Sequence, residues 1–496
     1  MLSKVLSTVD RNIDGYVEDL IDAIRHPSVS ATNQGVVEAA EALVEHFRTI
    51  GFQARLLKSP GYPAIFAEVD LSVGSGAACG VSGGAGAAHG EARAASAAGA
   101  DNRAAGATRT VLFYGHNDVQ PVEPLDAWEH PPFDARLYGD YIWGRGSVDD
   151  KGNFYAAIKA VQAFREAGVT LPLRIKFIIE SEEEIGSVHL GWISREYADV
   201  IKADTLLAVD GTIFANWRSE MFLGIKGMLS LELIARGPTR DLHSGKAPII
   251  QNPAWRLIWA LNTLKGPDGR VLIPGFYDDV AAPTAAELAL LEQSAITDDM
   301  IKADVGDSPF MAGTSGAGKT GRPMTGLELQ KHLFFDPTCN IAGLTSGYQG
   351  PGSKTVLPAE ARVKLDLRMV PNQDPEKITA ALRRHLDAGG FTDIEIARAS
   401  GMPAGRTSPD SPIVAAALKG LTAAYGKPPV VKPSIEGSGP GYVFSQVMGL
   451  PWTWVRLGPP ENRMHSPNER HSVRAYTTGI KAVAHILWEY AHTTVD

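Results

Sequence analysis

Cysteine is almost missing from this chain: Cys79 and Cys339 are the only two in 496 residues, and they stand in unrelated contexts. That excludes a disulfide framework and a paired-thiolate metal site, and it fits a reducing cytoplasm, the expected location. Long apolar runs are missing too. Nowhere do 18 uninterrupted apolar residues occur, and Met1 to Asp10 shows no basic stretch followed by a sustained apolar one, so neither a membrane span nor export is expected. Basic residues are outnumbered, 47 Lys and Arg against 56 Asp and Glu. Phosphate backbones call for clustered cations, so no nucleic-acid partner is expected.

The length, with 44% apolar residues, is enough for more than one core. Apolar residues recur at helical spacing from Ile13 to about Ile50, with Pro27 and Ser28 separating two helices. The strand pattern Ala64 to Val69 follows. In residues 72–108, 23 of 37 are Ala or Gly, a composition that cannot bury enough apolar surface to offset its ordering entropy, so a flexible insertion is expected. Short β-rich runs at Val111 to Tyr114, Arg174 to Ile179 and Thr205 to Val209 then alternate with helix patterns such as Tyr155 to Ala167, as in an α/β sheet.

From about Glu220 the pattern changes. Gly224 to Arg236 and Arg362 to Met369 alternate as strands, Pro253 to Leu264 and Pro375 to Leu386 read as helices, and Asp393 to Ala397 as a strand. This β-α-β-β-α-β-like order predicts a two-layer α+β unit over 220–404, inserted into a first domain. That first domain, an α/β unit with a mixed sheet flanked by helices, then comprises 1–219 and 405–496. Its second part carries helix Ile413 to Tyr425, strand Trp452 to Val455 and helix Val473 to Tyr490.

Metal-competent side chains follow the ends of the predicted strands, where open α/β sheets bind ligands. His116 ends the first run and Asp118 comes two residues later, which suits a ligand whose second ring N–H is oriented by a carboxylate. Asp149, in Asp149-Asp150-Lys151-Gly152, reads either as part of a polar turn or as a carboxylate bridging two ions. Glu182-Glu183-Glu184 follows a buried-strand pattern; Glu184 is read as a ligand and Glu183 as the base that takes a proton from metal-activated water. Asp210 follows the third strand, and His465 lies on the return to the first domain.

In combination these stretches resemble the M20 family of metallopeptidases, especially its dipeptidase-like branch. The matching segments are Tyr114 to Pro121, Gly144 to Gly152, Glu183 to Ser187, Asp241 to Gly245 and Gly352 to Pro358. The resemblance implies that the first domain is catalytic and that the insert over 220–404 is a lid or dimerisation domain, and it implies two divalent ions per subunit, zinc first, with manganese and cobalt also compatible with nitrogen and oxygen ligands. It makes His116 and Asp210 ligands of one ion, Glu184 and His465 ligands of the other, and Asp149 the bridge, with Asp150 in an unusual backbone such as a cis peptide. It further implies that Arg368 reads a substrate carboxylate, a task suited to the planar guanidinium, and that Thr355 and His243 serve the site across a homodimer, His243 at the oxyanion. Gly437 and Ser438 would supply backbone contacts to substrate.

The expected activity is hydrolysis of dipeptides or short peptides through a metal-bridging hydroxide, with Glu183 as general base. The same site could instead remove an acyl group from an amino acid. A remote alternative comes from Gly313 to Thr320, which fits the phosphate-loop pattern, although Pro323 follows where a helix should open.

Overall fold

The structure, a computed structural model, describes residues 1–73, 108–293, 296–306 and 324–493. Both the centre of the Ala/Gly tract and the phosphate-loop pattern at Gly313 to Thr320 lie outside the described residues.

An eight-stranded mixed sheet organises the larger body. Across the sheet the strands run Gln53–Leu57, Ala64–Asp70, Leu173–Glu180, Arg109–His116, Thr205–Val209, Trp452–Val455, Glu220–Phe222 and Val430–Lys432. The four central strands are parallel neighbours, so they deliver their C-terminal ends to one edge. Both faces are covered, which explains why these strands are buried along their length rather than alternating. On one face pack the helices Leu2–Arg25, Val36–Thr49, Lys151–Glu166, Pro412–Tyr425 and Val473–His492, with Phe113 and Phe177 stacked at 4.9 Å beneath them. On the other, Leu190–Glu196 and the turn Val443–Val447 cover Tyr114, Ile178 and Trp454.

In a second sheet the strands Asn340–Ser346, Glu360–Met369, Gly224–Arg236 and Glu395–Met402 pair antiparallel in that order, and the long strand Gly224–Arg236 also pairs with Gly405–Arg406, antiparallel, and with Ile435–Ser438, parallel. Its inner face packs on helices Pro253–Leu261 and Pro375–Ala388 through Leu229, Leu231, Val363, Leu365, Leu382 and Leu386. This is the two-layer α+β arrangement expected from the alternation. Two differences have physical reasons. The first helix starts at Leu2, not near Ile13, because Val5 and Val9 extend its apolar stripe into the core. Glu220–Phe222 lies in the larger sheet, between Trp452–Val455 and Val430–Lys432; all three residues are buried, and so short a run has no alternation to read.

Candidate metal centre

The parallel register gathers the candidate ligands. His116 lies opposite Glu180 on the neighbouring strand, and Tyr114 lies opposite Ala208, so Asp210 and the turn Glu182–Glu184 come up beside His116. Trp452–Val455 pairs with Thr205–Val209, and the loop after it brings in His465. Arg463, His465 and Asn468 on that loop have φ of 55°, 59° and 67°, a costly region for residues with a Cβ that is enriched at functional loops.

Two triads result. Ligand atoms of His116, Asp149 and Asp210 all lie within 4.8 Å of one another, as do those of Asp149, Glu184 and His465. Asp149 belongs to both. Its Oδ1 is 3.1 Å from His116 Nε2 and its Oδ2 is 2.8 Å from His465 Nε2, which in turn is 3.5 Å from Glu184 Oε2. The donor set suits divalent cations: Asp210 Oδ1 and Glu184 Oε1 are buried and lack a hydrogen-bond partner, a costly condition for carboxylate oxygens that a cation would relieve.

Charge effects agree with this. Burial, followed by the nearby Asp149 charge, pushes the Asp210 carboxyl well above the carboxylate range. Hydrogen bonds to Asp149 and Glu184 hold His465 up at about 10. For Asp149, burial opposes the charged form, but the hydrogen bonds from His116 and His465 outweigh it and keep the carboxyl well below its usual range. Carboxylates this crowded draw protons onto their imidazole neighbours, and divalent cations would supply the same compensation with the imidazoles neutral as ligands.

Around the triads, several side chains fix orientation. Asp118 accepts the Ser30 hydroxyl at 2.7 Å and the Glu183 and Glu184 backbone N–H groups at 3.1 Å each, and its backbone carbonyl lies 3.0 Å from His116 Nδ1. It therefore holds both the imidazole and the Glu turn. The peptide between Asp149 and Asp150 is cis, and Asp150 Oδ2 accepts the His116 N–H at 3.1 Å. Gln120 Nε2 donates to Glu184 Oε2 at 2.7 Å. Of the three consecutive Glu residues, Glu182 turns away and accepts the N–H groups of Tyr62 and His189.

Glu183 lines a cavity of about 210 Å³ together with Asp149, Asp210 and His465. Its pKa is raised to about 7, chiefly by burial, with Glu184, Asp149 and Asp118 adding to the shift and His116 opposing it. Ser438 lines the same cavity and accepts from Arg368 Nη1 at 2.8 Å, while Arg368 Nε donates to Asp366 at 3.1 Å. Gly437 precedes Ser438 on the strand Ile435–Ser438.

His243 and Thr355 are placed together, and neither belongs to the two triads or to the cavity lining. Leu242–His243 pairs with Val356–Leu357, and Ser244 N donates to Thr355 O at 3.2 Å. His243 is exposed, and its Nδ1 accepts the Gly245 N–H at 3.0 Å.

Over residues 112–489 the sequence matches the peptidase family M20/M25/M40. The chain belongs to this family. Among its relatives, the Cys-Gly metallodipeptidase of Schizosaccharomyces pombe is 28% identical over 393 residues, covering 78% of this chain and 75% of the relative. The Beta-Ala-His dipeptidase of Rattus norvegicus is 26% identical over 383 residues, covering 76% of each. An M20 family metallo-carboxypeptidase from Sulfolobus solfataricus superposes with a TM-score of 0.77 at 32% identity, covering 96% of this chain and 99% of that one. The chain is thus an M20-type metallopeptidase, and no helix among its described residues is long and apolar enough to cross a membrane.

One buried residue beside the centre gave no signal in the sequence. Glu469, fully buried, accepts backbone N–H groups from Gly146, Val148 and Asp149 and the Arg145 guanidinium. Nothing in Asn468-Glu469-Arg470 marks it as the clamp of a loop more than 300 residues away.

Proposed function

We propose that the protein is a dinuclear metallodipeptidase that hydrolyses dipeptides or short peptides. The observation that carries this reading is the sharing of Asp149 by two ligand triads, the arrangement a two-ion hydrolase requires. His116 and Asp210 would hold one ion, Glu184 and His465 the other. Bound there, two divalent ions, zinc being the first expectation, would polarise the scissile carbonyl and make water a nucleophile near neutral pH.

The chain's own groups do the rest. Glu183, in the cavity wall and poised near neutrality, accepts the proton of the attacking water on its carboxylate and returns it to the leaving amine nitrogen. Arg368, steadied by Ser438 and Asp366, binds the substrate's terminal carboxylate through its remaining N–H groups. The dipeptidase relatives support the substrate class.

A homodimer completes the proposal. Support comes from the strand Asn340–Ser346, which among the described residues has one paired neighbour and exposes Ile341 and Leu344, and from helix Pro253–Leu261, which exposes Trp255 and Trp259 at 56% and 51%. Unpaired strand edges and exposed aromatics are self-association surfaces. In such a dimer His243 would act at the partner's centre, stabilising the oxyanion, with Thr355 beside it.

The test is a metal count per chain paired with a panel of dipeptides and N-acyl amino acids. Two ions per chain with faster turnover of dipeptides is the expected result; one ion per chain, or faster deacylation, would overturn the reading.

A further inference from the structure

The cavity beside the triads has two kinds of wall. Asp149, Glu183, Asp210 and His465 form one; Phe222, Ile225, Ile435 and Trp454 line the other. Phe222 and Trp454 are stacked at 5.3 Å, with Tyr114 edge-on to Trp454 at 5.8 Å. These residues are fixed in the core on that face of the large sheet, so the surface they present is rigid. Ile435 packs on the same core but is only half-buried, which makes it the member of the wall whose side chain is free to define the shape of the space.

Position gives this wall a meaning. Ile435 opens the strand that ends in Ser438, the partner of Arg368. Three residues of strand span about 10 Å, and a dipeptide about 7 Å, so a substrate held by its carboxylate at Arg368 extends a side chain over Ile435. Gly437 keeps that approach open: a Cβ there would meet only Ile435 Cδ1, at 3.9 Å. Gly439 is constrained for the opposite reason, since a Cβ would come within 2.9 Å of Ile225 Cδ1.

Charge also discriminates. Arg456 lines the cavity, with its Nη1 2.6 Å from Glu220, and the same carboxylate is 2.7 Å from Lys432 Nζ. Arg456 is part of this lining, so a basic substrate side chain extended along it meets a like charge while an apolar one meets aromatic and aliphatic surface.

Resting on the peptidase reading above, we propose that this wall is the side-chain pocket of the site, that it selects an aliphatic or aromatic side chain next to the scissile bond over a basic one, and that Ile435 sets its depth. The test uses metal-loaded wild type, Ile435→Ala, Ile435→Val and Ile435→Asp against two dipeptide series, with Ala, Leu, Phe or Lys placed first or second beside a constant Gly. Wild type should favour Leu over Lys by about 10-fold or more at one position, within the range a hydrophobic pocket supplies. Ile435→Ala should move the optimum from Leu toward Phe, Ile435→Val should do so less, and Ile435→Asp should shrink the ratio of Leu to Lys. Should the Asp variant not fold, the Ala and Val variants decide. Wild-type preference for Lys at both positions, or ratios unmoved in variants that keep their metal, would overturn the pocket while leaving the peptidase reading intact. Cleavage of no dipeptide at all would instead bring down the peptidase reading and the pocket with it.

Discussion

Glu469 holds Asp149 from behind: its Oε1 accepts the Asp149 backbone N–H at 3.1 Å. The same carboxylate receives the Arg145 guanidinium at 2.6 Å, with both side chains at or below 2% exposure. Glu469→Ala would leave Arg145 buried without its counter-charge, and breaking such a pair costs about 3–5 kcal/mol. Metal affinity should fall by about 10–100-fold as well, as when groups that orient ligands are lost. Denaturant unfolding and elemental analysis check the two effects separately. Wild-type stability in this variant would show that the clamp is dispensable.

Asp149 and Glu183 should separate cleanly on substitution. Asp149→Ala should bring bound metal well below two ions per chain and abolish hydrolysis, because both triads contain it. Glu183→Gln should retain both ions and lose about 10²–10⁴-fold in turnover, the usual worth of a positioned acid-base group. Metal loss in the Gln variant would transfer the ligand role to Glu183.

Arg368→Lys should weaken hydrolysis of dipeptides with a free carboxylate strongly and barely affect C-terminally amidated analogues, since an ammonium cannot reproduce the bidentate fork. The ratio of kcat/KM values for the two substrates is the measurement. Equal losses on both would remove the carboxylate contact.

His471 supplies a pH signature. Burial depresses its pKa to about 4, partly offset by the hydrogen bond with Ser472 O. The unfolded chain, with an ordinary imidazole near 6.5, therefore binds the extra proton between about pH 6.5 and 4. Stability from this group is complete above the upper limit and is lost as pH falls toward the lower, amounting to about 3 kcal/mol. Urea unfolding at pH 7 and 4.5 should show a smaller acid loss in His471→Gln than in wild type; parallel losses would assign the acid sensitivity to other groups.

If His243 acts across a dimer, chains carrying His243→Ala and chains carrying Glu183→Gln, each nearly inactive alone, should recover activity in mixed dimers. One site in each mixed dimer then combines an intact metal centre with an intact His243. Separately tagged, coexpressed chains provide the assay, and isolated mixed dimers without activity would argue for a role within one subunit or none.

Strand ends were the legible part of this site. Thr205–Val209 and Trp452–Val455 were readable to the residue, because fully buried strands are short runs of apolar, aromatic and β-branched residues, and whatever charged residue follows such a run sits at the sheet edge. His116, Asp210 and the Glu turn could be found that way. Glu469 could not, since its role depends on a backbone more than 300 residues distant. Helices Ala285–Gln293 and Gly326–Phe335 pack through Leu291, Phe334 and Phe335 onto Val430, an attachment to the large sheet that the local pattern of the inserted segment does not reveal. From its spacing Asp118 is expected to orient His116 through its carboxylate, but its backbone carbonyl lies nearer to Nδ1, at 3.0 Å against 3.5 Å for Oδ1, and its role as acceptor of two N–H groups in the Glu turn was not legible, because hydrogen bonds to backbone leave no trace in side-chain spacing.

Trp452–Val455 enters the middle of the large sheet, between Thr205–Val209 and Glu220–Phe222, two strands joined by a short stretch of chain. Until residue 455 has been made, that sheet is split where its centre should be, and His465 follows later still. A ribosome-bound chain or an early-terminated fragment therefore carries His116, Asp149, Glu184 and Asp210 without the strand that aligns them or the second imidazole. If the proposed centre needs both imidazoles, a fragment ending before residue 455 is expected to show no peptide cleavage.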